Sequence, residues 1–274
     1  VNPVAYFPGK LGDSVLQWPA ARAWSRKIGK PIDVWLDEKS SKHLKPLLEV
    51  QPEVGEVKLT NQSVDYTCGG QPWDGNFPTE VHAEREIVSF GLRAFPSRQI
   101  TLQTLHDVPM DLGTKIPDEP QFEVGSVIQE NRVVLHGTFT SHHSGVPGFW
   151  KFLNRVQADL DDRFEQVMFV GTEPERRRAL ELYPRWSGYA DDGDFLVLAR
   201  LLAGSRLVMG SGSSVVALGG ALRVPTVRVH DPIGEHPKVL WSNLGQNQIN
   251  ETEAGLRKIW PIFRDNWVPK LVSV

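Results

Sequence analysis

The chain has one cysteine, Cys68, in 274 residues. A lone cysteine excludes an internal disulfide framework and any zinc cluster built on several thiolates. It also fits a reducing compartment. No apolar run reaches the length that crosses a bilayer. The first residues lack the charged and apolar regions of a secretory leader, so a cytoplasmic protein is expected. An excess of one charge is missing too: 30 Lys and Arg stand against 33 Asp and Glu, for a net charge of -3. Nothing resembles the dense basic stripe of a nucleic-acid binder. Tryptophan, by contrast, is frequent, with nine residues, some expected in the core and some against a sugar or aromatic ligand.

What the sequence does contain is alternation of strand and helix patterns. Val4-Ala5-Tyr6-Phe7 reads as a buried strand and Pro8-Gly9-Lys10-Leu11-Gly12 as a tight turn. Asp13-Ser14 then opens a helix with Val15, Leu16, Ala20, Ala23 and Trp24 on one face. Residues 32–36 predict a strand, 40–50 a helix, 54–59 a strand, 65–78 a loop and 80–95 a helix. Residues 108–124, with Pro109, Pro117 and Pro120, read as a linker. The alternation then restarts. Strands are expected at 132–136, 166–170, 206–209 and 226–229. Helices are expected at 149–160, 173–182, 195–202, from Ser213 to Leu222, and at 251–263. Two βαβ series joined by a proline-rich linker predict an α/β protein. It would have two doubly wound domains, residues 1–124 and 125–274, facing each other across a cleft.

Two strand–turn–helix junctions carry the chemistry, because ligands collect outside the carboxyl ends of parallel strands. The first delivers Asp13. A carboxylate at a helix N-terminus is held ionised by the dipole and the free N–H groups, ready to accept a proton or bind a cation. Capping the helix is its structural alternative. The second junction is Gly210-Ser211-Gly212-Ser213-Ser214. Its glycines let the backbone approach a ligand, and its hydroxyls and helix-start N–H groups suit a phosphate or diphosphate. It is neither a dinucleotide fingerprint, since Val215 stands where a third glycine belongs, nor a Walker loop. Close packing of a small-residue helix on the sheet is the alternative there.

Together the junctions resemble glycosyltransferase family nine, the ADP-heptose:lipopolysaccharide heptosyltransferases and their relatives. The resemblance is carried by Lys10-Leu11-Gly12-Asp13-Ser14-Val15-Leu16 with Pro19, by Ile32-Asp33-Val34-Trp35-Leu36, and by residues 47–57 and 133–137. It is also carried by residues 207–229, with Gly210, Ser213, Leu218, Leu222 and Pro225 in register. It covers most of the chain and is strongest at 4–58 and 195–232. It implies a GT-B fold: two Rossmann-like domains, the N-terminal one taking the acceptor and the C-terminal one the nucleotide-sugar donor. The chain departs from the family where an Asp and a His are usual. Gly212, Ser213, Ser214 and Ala217 occupy those positions. A lysine ahead of a Trp-Pro pair is replaced by His142, His143 and Ser144, followed by Pro147 and Trp150.

The resemblance implies an inverting, metal-independent glycosyltransferase. It would move a sugar from a nucleotide-diphosphate donor to a hydroxyl acceptor, a lipopolysaccharide or another glycan. No cofactor is expected, because the nucleotide sugar is a substrate. Asp13 would be the general base. Lys10, in the turn with Gly12, would stabilise the leaving diphosphate; a solvated loop lysine is the alternative. Thr138, Ser141, His142 and His143 would bind phosphate, against the alternative of a surface loop. Neighbouring side chains diverge, so the His pair does not read as a metal site. Ser211, Gly212, Ser213 and Ser214 are the diphosphate candidates of the second domain. Asp191, Asp192 and Asp194 would hold ribose or cap the following helix. His230 and Asp231 would touch donor sugar or base. A lipid-linked acceptor would add peripheral membrane contact. The competing readings are an epimerase or hydrolase of the same shape, a non-catalytic nucleotide-sugar binding protein, and a phage DNA-base glycosyltransferase.

Overall fold

The computed structural model describes residues 1–7, 11–60, 87–89, 119–137, 146–190, 193–211, 213–230 and 246–250. They form two compact units, one drawn mainly from Val1–Val124 and one mainly from the residues beyond Gly125.

In the first unit, β1 (Val4–Phe7) leads to α1 (Leu11–Ile28), β2 (Ile32–Asp37), a 3-10 turn (Lys42–Leu44), α2 (Lys45–Glu49), β3 (Val54–Thr60) and β4 (Ile87–Ser89). The strands are parallel, in the order β3-β2-β1-β4. Every residue of β1 and β2 is buried. A strand covered on both faces reads as a continuous apolar run, which is why both were legible. Helix α1 buries Val15, Leu16, Trp18, Ala20, Ala21 and Trp24. It ends where Gly29 takes a positive φ of 69° and its N–H returns to the Ser25 carbonyl at 3.0 Å.

Three expectations for this unit are corrected. Helix α1 starts at Leu11, so Leu11 and Gly12, expected in the preceding turn, lie in its first turn with Asp13. The helix expected at 40–50 tightens into the 3-10 turn before α2, where Pro46 sits in the first helical turn. The helix expected at 80–95 contains a strand instead. β-Branched Ile87 and Val88 pair with Val4 and Ala5 of β1, and sheet pairing overrides the helical spacing.

Residues 119–124, the end of the expected linker, are anchored on α1. Trp18 Nε1 donates to the Gln121 carbonyl at 2.8 Å, and its ring stacks on Phe122 at 5.9 Å. Below them, Glu53 Oε1 accepts from Arg22 Nε at 3.0 Å and Arg26 Nε at 2.8 Å. Arg26 Nη1 also reaches Glu119 at 2.7 Å, and this hydrogen bond holds the Glu119 carboxyl below its usual range.

In the second unit, β5 (Glu130–His136) is followed by α3 (Val146–Arg163), β6 (Gln166–Gly171), α4 (Glu173–Leu182) and β7 (Ser187–Ala190). Then come α5 (Phe195–Ala203), β8 (Ser205–Gly210), α6 (Ser214–Ala221), β9 (Thr226–His230) and β10 (Gln246–Asn250). All six strands are parallel, in the order β10-β9-β8-β5-β6-β7. Read from β5, this is the doubly wound dinucleotide-fold order. The expected stripe of α3, Phe149, Phe152, Leu153 and Val156, is buried in one cluster with residues of β5, β6, β8 and β9. Each fully buried phenylalanine contributes about 1.5–3 kcal/mol.

Strands β7 and β10 were not expected. Both are edge strands, and their sequences, SGYA and QNQIN, are short and polar. An edge strand buries little and carries a weak apolar signal. The described tryptophans are mostly core. Trp18, Trp24 and Trp35 are buried, and Trp150, Tyr183 and Trp186 stack with centroids 6.2 and 3.9 Å apart. The expected loop at 65–78 and helix at 251–263 lie outside the described residues. No described helix is long and apolar enough to cross a membrane.

Candidate functional site

Each sheet reverses its strand order once, between β1 and β4 in the first unit and between β5 and β8 in the second. At such a reversal the connections leave on opposite faces and open a crevice at the carboxyl ends. Both sequence junctions fall there. β1 is followed by α1, and β8 by α6.

In the second unit the two strand ends are level, with Leu135 opposite Met209 and His136 opposite Gly210. The Ser211 N–H donates to the His136 carbonyl at 3.2 Å. A Cβ at Gly210 would fall inside contact distance of that carbonyl oxygen and 2.8 Å from Val216 Cγ2. The glycine therefore lets β8 close on β5 while α6 starts directly above. Gly210→Ala is expected to cost about 1–3 kcal/mol through overpacking. Urea unfolding checks this, and an unchanged midpoint would show that the strand ends yield freely.

Three of the four residues expected at this turn are described. Ser213 is the N-cap of α6, and its Oγ accepts from the Val216 N–H at 3.4 Å. Ser214 is the first helical residue. Ser211 is buried, and its Oγ has no hydrogen-bond partner among the described residues. The cap explains Ser213; it does not explain Ser211. A buried hydroxyl without a partner carries a desolvation penalty that a ligand can relieve. Asp194 does what the structural alternative for it required. Its Oδ1 accepts from the Leu196 N–H at 2.9 Å and caps α5.

His136 was missed as a site residue. It ends an apolar strand and looked like the last residue of a core element. Its ring Nδ1 lies 2.8 Å from the Val170 carbonyl, and its face stacks on Phe169 at 17°. A carbonyl only accepts, so Nδ1 carries the proton. An oriented imidazole therefore stands at the reversal point.

In the first unit, Asp13 is in the first turn of α1, directly after β1. It is a helical residue, not the N-cap, and still stands where the dipole favours a carboxylate. Asp37, at the end of β2, was not singled out by the sequence. It is buried, and Tyr6 on the neighbouring strand senses it. Burial first and the Asp37 charge second push the Tyr6 phenol up.

The side chains of Asp13 and His230 lie outside the described part of the structure. So do Lys10, Thr138, Ser141, His142, His143, Gly212, Asp191, Asp192 and Asp231.

No protein-family model matches the sequence, and no curated protein matches it. Solved structures do. ADP-heptose LPS heptosyltransferase II of E. coli superposes with a TM-score of 0.66 at 13% identity, over 96% of this chain and 98% of that one. The fold is that of the heptosyltransferases. E. coli heptosyltransferase WaaC, solved with ADP, gives a TM-score of 0.64 at 15% identity, over 96% and 99% of the two chains. A family 9 glycosyltransferase of Veillonella parvula gives 0.61 at 14% identity, over 96% and 88%. The likeness spans the whole length of the heptosyltransferase chains and is one of fold.

Proposed function

We propose that this chain is a glycosyltransferase of GT-B architecture that moves a sugar from a nucleoside-diphosphate donor to a hydroxyl acceptor. One placement carries the reading. Asp13 stands in the first turn of α1, just beyond β1, at the reversal point of the first sheet. The Gly210 turn occupies the corresponding place in the second sheet. The fold likeness to heptosyltransferases, one of them solved with ADP, supports a nucleotide-diphosphate donor.

In the proposed reaction Asp13 takes the proton of the acceptor hydroxyl. The acceptor oxygen forms a bond to the anomeric carbon from the face opposite the diphosphate. The anomeric C–O bond to the diphosphate breaks, and its electron pair leaves with the phosphate oxygen. Configuration therefore inverts. No metal is invoked. Of the one Asp-x-Asp in the DDGD run, Asp194 is committed to capping α5. Charge on the leaving diphosphate is assigned to Lys10, the N-terminus of α6, Ser211 and the residues after β5.

The reading is tested by thermal unfolding in the presence of ADP, UDP, GDP and their sugars. A ligand bound only to the folded state raises the melting temperature by mass action. One nucleotide is expected to stand out, and no response to any of them would overturn the proposal. Serine variants then separate capping from binding. Ser213→Ala is expected to lose about 1 kcal/mol of stability with its cap. Ser211→Ala should cost no stability, yet weaken the selected nucleotide about tenfold, the worth of one hydrogen bond to a charged group. Calorimetric titration decides, and equal affinity for wild type and Ser211→Ala would remove Ser211 from the site.

A second reading is favoured by one observation: Gly212, Ser213, Ser214 and Ala217 supply neither an acid nor a histidine. A nucleotide-sugar binding protein without transferase activity would bind donor and turn over no acceptor.

A further inference from the structure

Asp37 ends β2, with Leu36 opposite Phe7 of β1 and Asp37 opposite Thr60 of β3. Its two carboxylate oxygens have different fates. Oδ1 accepts from the Ser40 N–H at 2.7 Å and from the Ser40 hydroxyl at 2.8 Å. Oδ2 is shielded from solvent and has no hydrogen-bond partner among the described residues. The hydroxyl opposite it on β3 is already committed, since Thr60 Oγ1 donates to the Leu36 carbonyl at 3.1 Å. A turn needs only Oδ1. The second oxygen carries a desolvation penalty that the turn does not require.

The turn is also tied to the helix that presents Asp13. The Ser41 N–H donates to the Asp37 carbonyl at 2.9 Å. Ser41 Oγ lies 2.9 Å from Ser14 Oγ, and Ser40 Oγ lies 3.5 Å from Ser41 Oγ. Ser14 is the residue after Asp13 in α1. The hydroxyls thus link the Asp37 carboxylate to the first turn of α1. Asp37 ends β2, and Asp13 lies in the helix that follows the adjoining parallel strand β1.

We propose that Asp37 is a hydroxyl-binding residue of the first unit, its Oδ2 accepting hydrogen bonds from a ring that carries neighbouring hydroxyl groups. A carboxylate oxygen has two lone-pair sites, so one oxygen serves two adjacent O–H donors. Ser40 fixes the carboxylate plane through Oδ1, so the ligand meets a preoriented acceptor. Ligand entry has to uncover Oδ2, since the atom is shielded from solvent. The inference rests on the transferase reading, in which α1 presents Asp13 to an acceptor hydroxyl. The ring is either an acceptor sugar or the ribose of a nucleoside, and the two share this chemistry.

Ligand-observed saturation-transfer NMR tests it on the full chain. The probes are methyl α-D-mannopyranoside, adenosine, and their 2-deoxy and 2′-deoxy counterparts. Wild type is expected to bind a diol probe in preference to its deoxy counterpart, and Asp37→Asn to weaken that probe about tenfold or more. Asparagine keeps the Oδ1 acceptor for Ser40, and Asp37→Ser is a second variant that keeps a turn-forming hydroxyl without the second acceptor. A loss confined to the mannoside assigns an acceptor sugar, and one confined to adenosine assigns a ribose. Unchanged binding in a folded variant, or no diol probe bound by wild type, overturns the proposal. ADP binding by thermal shift is followed in parallel. If wild type ignores every nucleotide, the transferase reading falls, while the diol probes still decide the role of Asp37.

Discussion

Asp13→Asn is expected to lower the transfer rate by about 10²–10⁴-fold, the usual worth of a positioned general base. That loss corresponds to about 3–5 kcal/mol of barrier. The same substitution removes a carboxylate from the first turn of α1, where the interaction with the dipole is worth only about 0.3–1 kcal/mol. The two magnitudes separate the roles. A purely structural Asp13 would give a slightly less stable protein with near-normal turnover. A catalytic Asp13 gives a folded protein that binds nucleotide and hardly turns over. The measurement is initial rate at saturating donor, using the nucleotide selected by thermal shift, with melting temperature and nucleotide affinity on the same preparation. The fall should appear in kcat, since the base acts on the acceptor proton in the transition state. Turnover within a few-fold of wild type would remove Asp13 from the mechanism.

The buried strands were legible because they obey one rule without interference. Strands β1, β2, β5 and β8 lie inside parallel sheets, and their sequences are short apolar runs bounded by turn residues. The strands that escaped follow a different rule. β4 has only three residues, and β7 and β10 sit at sheet edges with polar sequences. Their pairing is set by the neighbouring strand and not by their own pattern. Ile87 and Val88 show this directly. Set among charged residues they resemble a helix face, and only the open edge of β1 makes them a strand.

The site divides in the same way. Gly12-Asp13 and Gly210–Ser214 were visible because glycine, a polar residue and a helix start coincide in a few positions. His136 and Asp37 were not visible. Each ends an apolar strand, so local pattern assigns it to the core. Their significance comes from residues distant in sequence: Val170 and Phe169 for His136, and Ser14, reached through Ser41, for Asp37. The N-cap alternative for Asp13 fails for a smaller reason. The helix begins two residues earlier, at Leu11, because a glycine at the second helical position does not prevent helix formation from Leu11 onward.

Glu53→Ala is expected to be among the most damaging single changes to the stability of the first unit. Glu53 Oε1 receives both Arg22 Nε and Arg26 Nε, and the side chains of Glu53 and Arg22 are only 9% and 5% exposed. Breaking a buried ion pair by removing one partner usually costs about 3–5 kcal/mol, because the other charge stays buried and uncompensated. Arg22 keeps the Pro120 carbonyl at 2.9 Å and looser contacts to Glu119 and Glu123 at 3.5 and 3.6 Å. The expected loss is therefore about 3 kcal/mol, at the low end of that range. Glu53→Gln keeps an acceptor oxygen in place and should lose less. Urea unfolding at low and at high sodium chloride separates this cluster from an ordinary surface pair. An exposed pair is largely screened by salt, whereas a buried one is screened much less, so the loss should persist at about 1 M salt. A cost that disappears with salt would place the pair effectively in solvent. The consequence reaches the chemistry because Arg22 and Arg26 belong to the helix that presents Asp13. A loosened α1 should raise the activity loss of Glu53→Ala beyond that of Glu53→Gln at temperatures where both remain folded. Equal activities there would show that the first turn of α1 is held by Ser14 and its hydroxyl partners, independently of the ion cluster.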